Sequence, residues 1–124
     1  MSIFLRGVIT DDRLPLVGHF YVAGEAGDTP IQVILDTGFT GMVVLPRQAA
    51  ALGRFTPSGY ESFELADGSI VREELFSGHV RIGRRRLEVV VSFTDSKIGL
   101  IGMALIEGKR ASFNLKTHQF KVYD

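Results

Sequence analysis

"VILDTGFTGMVVLP", residues 33–46, sets one carboxylate, Asp36, between an apolar run on its N-terminal side and a glycine-bracketed turn on the other. Val33, Ile34 and Leu35 precede it, and Met42, Val43, Val44 and Leu45 follow, so both flanks read as interior strands. An acid at the end of such a strand has a simple use: aspartate bonds its own backbone two residues on, and glycine turns the chain. The surroundings add something more. No lysine or arginine lies between residues 14 and 46, so no salt bridge from this stretch neutralises the acid. The donors within reach are the Thr37 and Thr40 hydroxyls and the backbone N–H groups of residues 37–41, which hold a carboxylate in place without consuming its charge. A partly dehydrated, rigidly held acid is suited to proton transfer.

Working outward, the chain is dominated by short extended segments separated by turns. Residues 3–9 and 14–22 are rich in β-branched and aromatic types and are expected as two strands, broken by Asp-Asp-Arg. "GEAGDTP" reads as a loop, and residues 31–36 and 41–46 as strands. "PRQAAALG", residues 46–53, is the best helical stretch, with Pro46 suited to a first turn and Gly53 to a C-terminal cap. Residues 61–76 form two extended arms around Asp67-Gly68, the pair a type I′ turn prefers, and predict a protruding hairpin. Residues 77–93 repeat that plan around Gly83-Arg84, and the apolar arm "LEVVVSF" is expected at the centre of a sheet. "IGLIGMALIEG" suggests a short helix after Gly102, and residues 111–124 a last strand pair. The expectation is one all-β domain spanning residues 1–124, a small closed barrel or sandwich with one or two short helices.

Composition narrows the function classes. At 124 residues the chain suits one core of ordinary size. Fourteen basic residues balance fourteen acidic ones, which argues against nucleic acid or an anionic membrane as partner. There is no cysteine, hence no disulfide, zinc ribbon or thiolate nucleophile. His19, His79 and His118 stand apart with no ligand spacing, so no metal or other cofactor is expected; Arg84, Arg85 and Arg86 read as a solvated turn. No uncharged stretch approaches the about 18 residues of a membrane span, and a cytoplasmic location is the expectation.

"VILDTGFTGMVVLP", followed some 60 residues later by "IGLIGMALIEG", resembles the active-site framework of the retropepsin-like aspartic proteases. That framework pairs a hydrophobic-hydrophobic-Asp-Thr-Gly loop with a hydrophobic-hydrophobic-Gly strand, and the hairpin of residues 61–77 falls where the family has its flap. The resemblance implies a barrel-like acid-protease fold and a catalytic Asp36, with Thr37, Gly38 and Thr40 supporting the loop and Ile101 and Gly102 packing behind it. It implies that Leu65, Ala66, Asp67, Gly68, Ser69 and Ile70 close over a peptide or protein substrate. Aspartic proteolysis needs two carboxylates sharing a proton, and Asp67-Gly68-Ser69 is a poor second motif because no apolar run precedes it. The second acid is therefore expected from another copy of Asp36 in an isologous homodimer, with Thr37 bracing the pair and the terminal strands interleaving across the two-fold axis. Phe39 stands where relatives carry a small residue, which would narrow the cleft or fill a subsite. Met103 and Ala104 replace the polar pair that locks viral relatives as dimers.

Other readings fit the same residues less well. "DTGFT" matches a nucleotide-phosphate loop of actin-like and sugar-kinase ATPases, whose two large lobes exceed this chain. "GFTG" matches the Gly-x-x-Gly loop of KH modules, but here it joins strands. The competing class is a non-proteolytic dimerisation or peptide-binding module on the same fold.

Overall fold

The computed structural model describes residues 2–124, and its described residues form twelve strands and a single short 3-10 helix. The strands are β1 (Ile3–Ile9), β2 (Pro15–Val17), β3 (Phe20–Gly24), β4 (Gly27–Pro30), β5 (Val33–Leu35), β6 (Val43–Pro46), β7 (Thr56–Glu64), β8 (Ile70–Ile82), β9 (Arg85–Thr94), β10 (Gly99–Ile101), β11 (Arg110–Asn114) and β12 (Gln119–Tyr123). They join in one sheet of order β11-β12-β1-β2-β5-β10-β6-β9-β8-β3-β4, with β7 added to β8. Residues of nine of the twelve strands point into one apolar cluster, including Val22, Val33, Leu45, Val80, Val91, Ile101 and Val122, all without measurable exposure. The expected all-β class holds, and "LEVVVSF" does lie inside the sheet, as β9 between β6 and β8. The sheet path does not close, so the expected closed barrel is an open sheet curled around its core.

Several local expectations change. The strand drawn over residues 14–22 breaks at Gly18 and His19, where His19 takes φ 58°. The reason is a change of partner: β2 pairs with β1 and β5, whereas β3 pairs with β4 and β8. "GEAGDTP" is not a loop, because its second half becomes β4 and turns back on β3 through a two-residue link, Gly24 opposite Gly27. The helical stretch is a 3-10 turn, Arg47–Ala51, ending with Leu52 in the right-handed region and no left-handed glycine cap. Residues 103–108 form successive turns, not a helix: the Leu105, Ile106 and Lys109 amides each bond three residues back, to the Gly102, Met103 and Ile106 carbonyls.

The terminal strands differ most from expectation. β1 and β12 of the same chain pair antiparallel from Ile3 opposite Tyr123 to Val8 opposite Gln119, and the Asp124 N–H bonds the Ser2 carbonyl at 3.0 Å. Asp124 is further held by the Ser2 hydroxyl and by Arg85, whose Nη1 lies 2.7 Å from Oδ1. β1 also has β2 on its other side, so the backbone groups that interleaving across a dimer would need are already used.

Candidate active site

Asp36 is the first residue beyond β5, whose Val33 and Leu35 are locked in the core. Its N–H donates to the Ile101 carbonyl at 2.9 Å, and its carbonyl accepts the Phe39 N–H at 3.1 Å, closing a tight turn. The Gly38 N–H donates to Oδ1 at 2.9 Å, the side-chain-to-backbone bond expected two residues on. Among the described residues this is the one hydrogen bond to the carboxylate. The Thr37 and Thr40 hydroxyls, expected as donors to it, make no such bond; Thr37, Gly38 and Thr40 line the outer side of the turn and Asp36 is half-buried. The loop therefore presents a fixed carboxylate at the protein surface, with one oxygen unpartnered among the described residues.

The backing of the loop comes from β10 and the turns after it. Ile101 lies parallel to Leu35 in register and is fully buried. The Gly102 N–H bonds the Met42 carbonyl at 2.9 Å, Met103 N–H the Phe39 carbonyl at 2.8 Å, and Ala104 N–H the Gly41 carbonyl at 3.1 Å. A Cβ on residue 102 would stand 2.2 Å from the Gly41 carbonyl oxygen and 2.7 Å from that of Phe39, so only glycine lets the two segments meet. Ile101 and Gly102 thus sit directly behind the Asp36 turn.

Phe39 turns toward its own loop. Its ring lies against Gly41 and Gly102: a Cβ on Gly41 would meet it at 2.6 Å, and one on Gly102 at 2.5 Å. The ring folds back into the loop's own framework. Gly41 was not singled out from sequence; its signal was a second glycine just before the apolar run, three positions after Gly38. Gly41 and Gly102 make the space that Phe39 fills.

The expected flap is the β7–β8 hairpin, which has no buried residue along β7 and projects from the core. Its tip is not the two-residue type I′ turn. Leu65 pairs with Ser69 and Gly68 N–H returns to the Leu65 carbonyl at 2.9 Å, a three-residue loop with Gly68 at φ 85°. Asp67 accounts for the difference: its Oδ1 accepts the Ser69 hydroxyl at 2.6 Å and the Ser69 N–H at 2.9 Å, which locks residues 67–69. The hydroxyl bond first, and then the amide, hold the Asp67 carboxyl below its ordinary pKa. Leu65 and Ile70 flank the tip, 48% and 72% exposed, and Ala66 is exposed between them. No backbone hydrogen bond joins this tip to the Asp36 loop among the described residues.

No group of three or more His, Cys, Asp or Glu side chains that could hold a metal ion is found among the described residues. A groove of about 580 Å³ lined by Glu25, Arg54, His79 and Glu88 contains no residue of the Asp36 loop. A second, of about 460 Å³, reaches that loop through Thr40 and continues along Met103, Ala104, Ile106 and Ala111. No described helix is long and apolar enough to cross a membrane.

A family model described as aspartyl protease matches residues 22–105, a span that contains Asp36, the β7–β8 hairpin and Gly102. Among solved structures, the chain is similar to a retropepsin-like aspartic protease from Rickettsia conorii, with a TM-score of 0.58 and 17% identity over 95% of this chain and 89% of that one. At that identity the likeness is one of fold, and the fold is retropepsin-like. No curated protein matches the chain.

Proposed function

Because this chain belongs to the aspartyl protease family, we propose that it is an aspartic endopeptidase whose catalytic water sits between two Asp36 carboxylates, one from each subunit of a homodimer. The observation that carries this reading is the half-built Asp36 turn. One carboxylate is held by the Gly38 amide and backed by Gly102, while Thr37 and Gly38 face outward. A second copy of the turn across a two-fold axis completes it.

The chemistry rests on the shared proton. Two carboxylates held this close carry one proton between them. The ionised Asp36 takes a proton from water as the water oxygen bonds the scissile carbonyl carbon, and the protonated Asp36 donates to the carbonyl oxygen. The tetrahedral diol then collapses: the C–N bond breaks, the amine nitrogen takes the proton gained from water, and the other carboxylate recovers its own from the diol hydroxyl. Thr37 braces the opposing loop and Gly38 leaves room for substrate backbone. Leu65, Ala66, Asp67, Gly68, Ser69 and Ile70 cover an extended peptide, adding backbone hydrogen bonds to it.

The test is cleavage of an unbiased peptide library from acid to neutral pH by wild type and by Asp36→Asn. Cleavage confined to wild type and suppressed by a statine-type inhibitor supports the assignment. Equal silence in both, with peptide still bound, refutes it in favour of a binding module.

A further inference from the structure

The direction of the Asp36 carboxylate depends on few bonds. Oδ1 accepts the Gly38 N–H at 2.9 Å, and no other hydrogen bond reaches the carboxylate among the described residues. The turn that carries Gly38 is anchored at its two ends: the Asp36 N–H bonds the Ile101 carbonyl, and the Phe39 carbonyl accepts the Met103 N–H. Between those anchors the Phe39 N–H closes on the Asp36 carbonyl at 3.1 Å. Of residues 37–40, Thr37, Gly38 and Thr40 are exposed, so packing of a side chain steadies this stretch at Phe39 alone.

The Phe39 ring has a seat shaped for it. A Cβ on Gly41 would lie 2.6 Å from its Cζ, and one on Gly102 2.5 Å from its Cδ2. Neither glycine takes a positive φ, so what each supplies here is room and not a turn. The ring therefore lies across the second glycine of its own loop and the glycine that follows β10, and joins the exit of the Asp36 turn to the segment behind it.

From this packing we infer that Phe39 is a positioning residue for the chemistry of Asp36: its ring, wedged onto Gly41 and Gly102, holds the turn so that the Gly38 N–H stays on Oδ1 and the other oxygen keeps its direction. This rests on the proteolytic reading of Asp36. Phe39 acts through the backbone of residues 36–39 and not by contact with substrate. A ring lodged in the cleft would instead touch the peptide and govern its affinity. The two roles differ kinetically: lost positioning lowers kcat with KM nearly unchanged, whereas a lost subsite raises KM. A reacting group displaced by about 1 Å costs on the order of 100-fold in rate, which bounds the effect from above.

The test compares wild type with Phe39→Ala, Phe39→Leu and Gly41→Ala on the best-cleaved peptide from an unbiased library. Assays run below the lowest Tm and at protein concentrations where specific activity is constant, which keeps unfolding and dissociation out of the comparison. In Phe39→Ala, kcat is expected to fall about 10- to 100-fold with KM within about twofold of wild type. Phe39→Leu should recover much of the loss, and Gly41→Ala, which keeps the ring but evicts it, should behave like Phe39→Ala. Adding Gly41→Ala to Phe39→Ala should cost nothing more, because the methyl then has no ring to meet. Amide hydrogen exchange reads the clamp without turnover: in Phe39→Ala the residue 39 and Met103 amides should lose protection while those of β9 keep theirs. Unchanged kcat in Phe39→Ala, an effect confined to KM, or residue 39 and Met103 amides as protected as in wild type each overturns the inference. The two readings separate. Wild type that cleaves no peptide, with amides that still loosen in Phe39→Ala, removes the protease and supports the clamp on the turn. Cleavage through Asp36 that is indifferent to residue 39 removes only the clamp.

Discussion

Replacing Gly102 by alanine tests the packing behind the Asp36 turn. The new methyl would lie 2.2 Å from the Gly41 carbonyl oxygen, far inside ordinary contact, which begins near 3.4 Å. Backbone must move by about 1 Å to admit it, because the obstacles include carbonyls of Gly41 and Phe39 as well as the Phe39 ring. Those carbonyls accept the Ala104 and Met103 amides, so the same movement stretches two hydrogen bonds. Overpacking of about 1–3 kcal/mol, with about 0.5–1.5 kcal/mol for each bond weakened, puts the loss at about 3 kcal/mol. With unfolding entropy of about 2.1 cal/mol/K per residue, Tm should fall by about 10 °C. Gly41→Ala makes the informative contrast, because its methyl meets only the Phe39 ring. In a Phe39→Ala background, Gly41→Ala should become nearly neutral while Gly102→Ala still costs about 2 kcal/mol. Thermal and urea unfolding at one fixed protein concentration measure both cycles, since association would shift apparent stability. The reasoning fails if Gly102→Ala lies within about 0.5 kcal/mol of wild type, or if removing the Phe39 ring rescues it fully.

The same geometry sets four further outcomes. Asp36→Asn should keep the fold and Tm within a few degrees while peptide cleavage drops to background; retained turnover would remove Asp36 from the mechanism. His118 holds φ 56° at the β11–β12 turn, a conformation costing a side-chain-bearing residue about 1–2 kcal/mol, and His118→Gly should raise Tm by a few degrees in thermal unfolding. The Arg85 guanidinium first, and then the Ser2 hydroxyl, hold the Asp124 carboxyl well below the usual carboxylate range. A carboxylate depressed on folding stabilises above its unfolded pKa of about 3.9 and loses that contribution as pH falls below it. Asp124→Asn should therefore lower Tm at neutral pH, and the gap to wild type should close on acidification; a gap that widened instead would reverse the sign. Ser69→Ala removes the leading cause of the low Asp67 pKa and should raise that pKa, read by NMR titration of the carboxyl; an unmoved Asp67 titration would remove the hydroxyl bond as its cause.

The Asp36 turn was legible because its signals are local: an apolar run, an acid that bonds two residues on, and glycines where the chain must turn. Gly83 at φ 58° and the break at Asp-Asp-Arg were legible for the same reason. The features that escaped depend on partners distant in sequence. Nothing near Gly18 says that β2 and β3 answer to different neighbours, and "GEAGDTP" looks like a loop until β3 offers it an edge. Residues 103–108 suggest a short helix, yet they are successive turns, and nothing local announces that the Met103 and Ala104 amides bond Phe39 and Gly41, over 60 positions earlier. The direction of the Phe39 ring was set by Gly102 in the same way. At the hairpin tip, Asp67 and Gly68 suggested a two-residue turn, and the hydroxyl of Ser69 tipped the balance to three.

The parallel pairing of β5 with β10 also sets the order of events during synthesis. The Asp36 amide finds its acceptor on Ile101, 65 residues further along, and β1 waits for β12 to take one of its two flanks. Contacts so remote along the chain form late and slow folding. A nascent chain that has emerged only as far as the hairpin therefore carries an acid without the strand that backs it, and the Asp36–Ile101 bond can form only once residue 101 has left the ribosome.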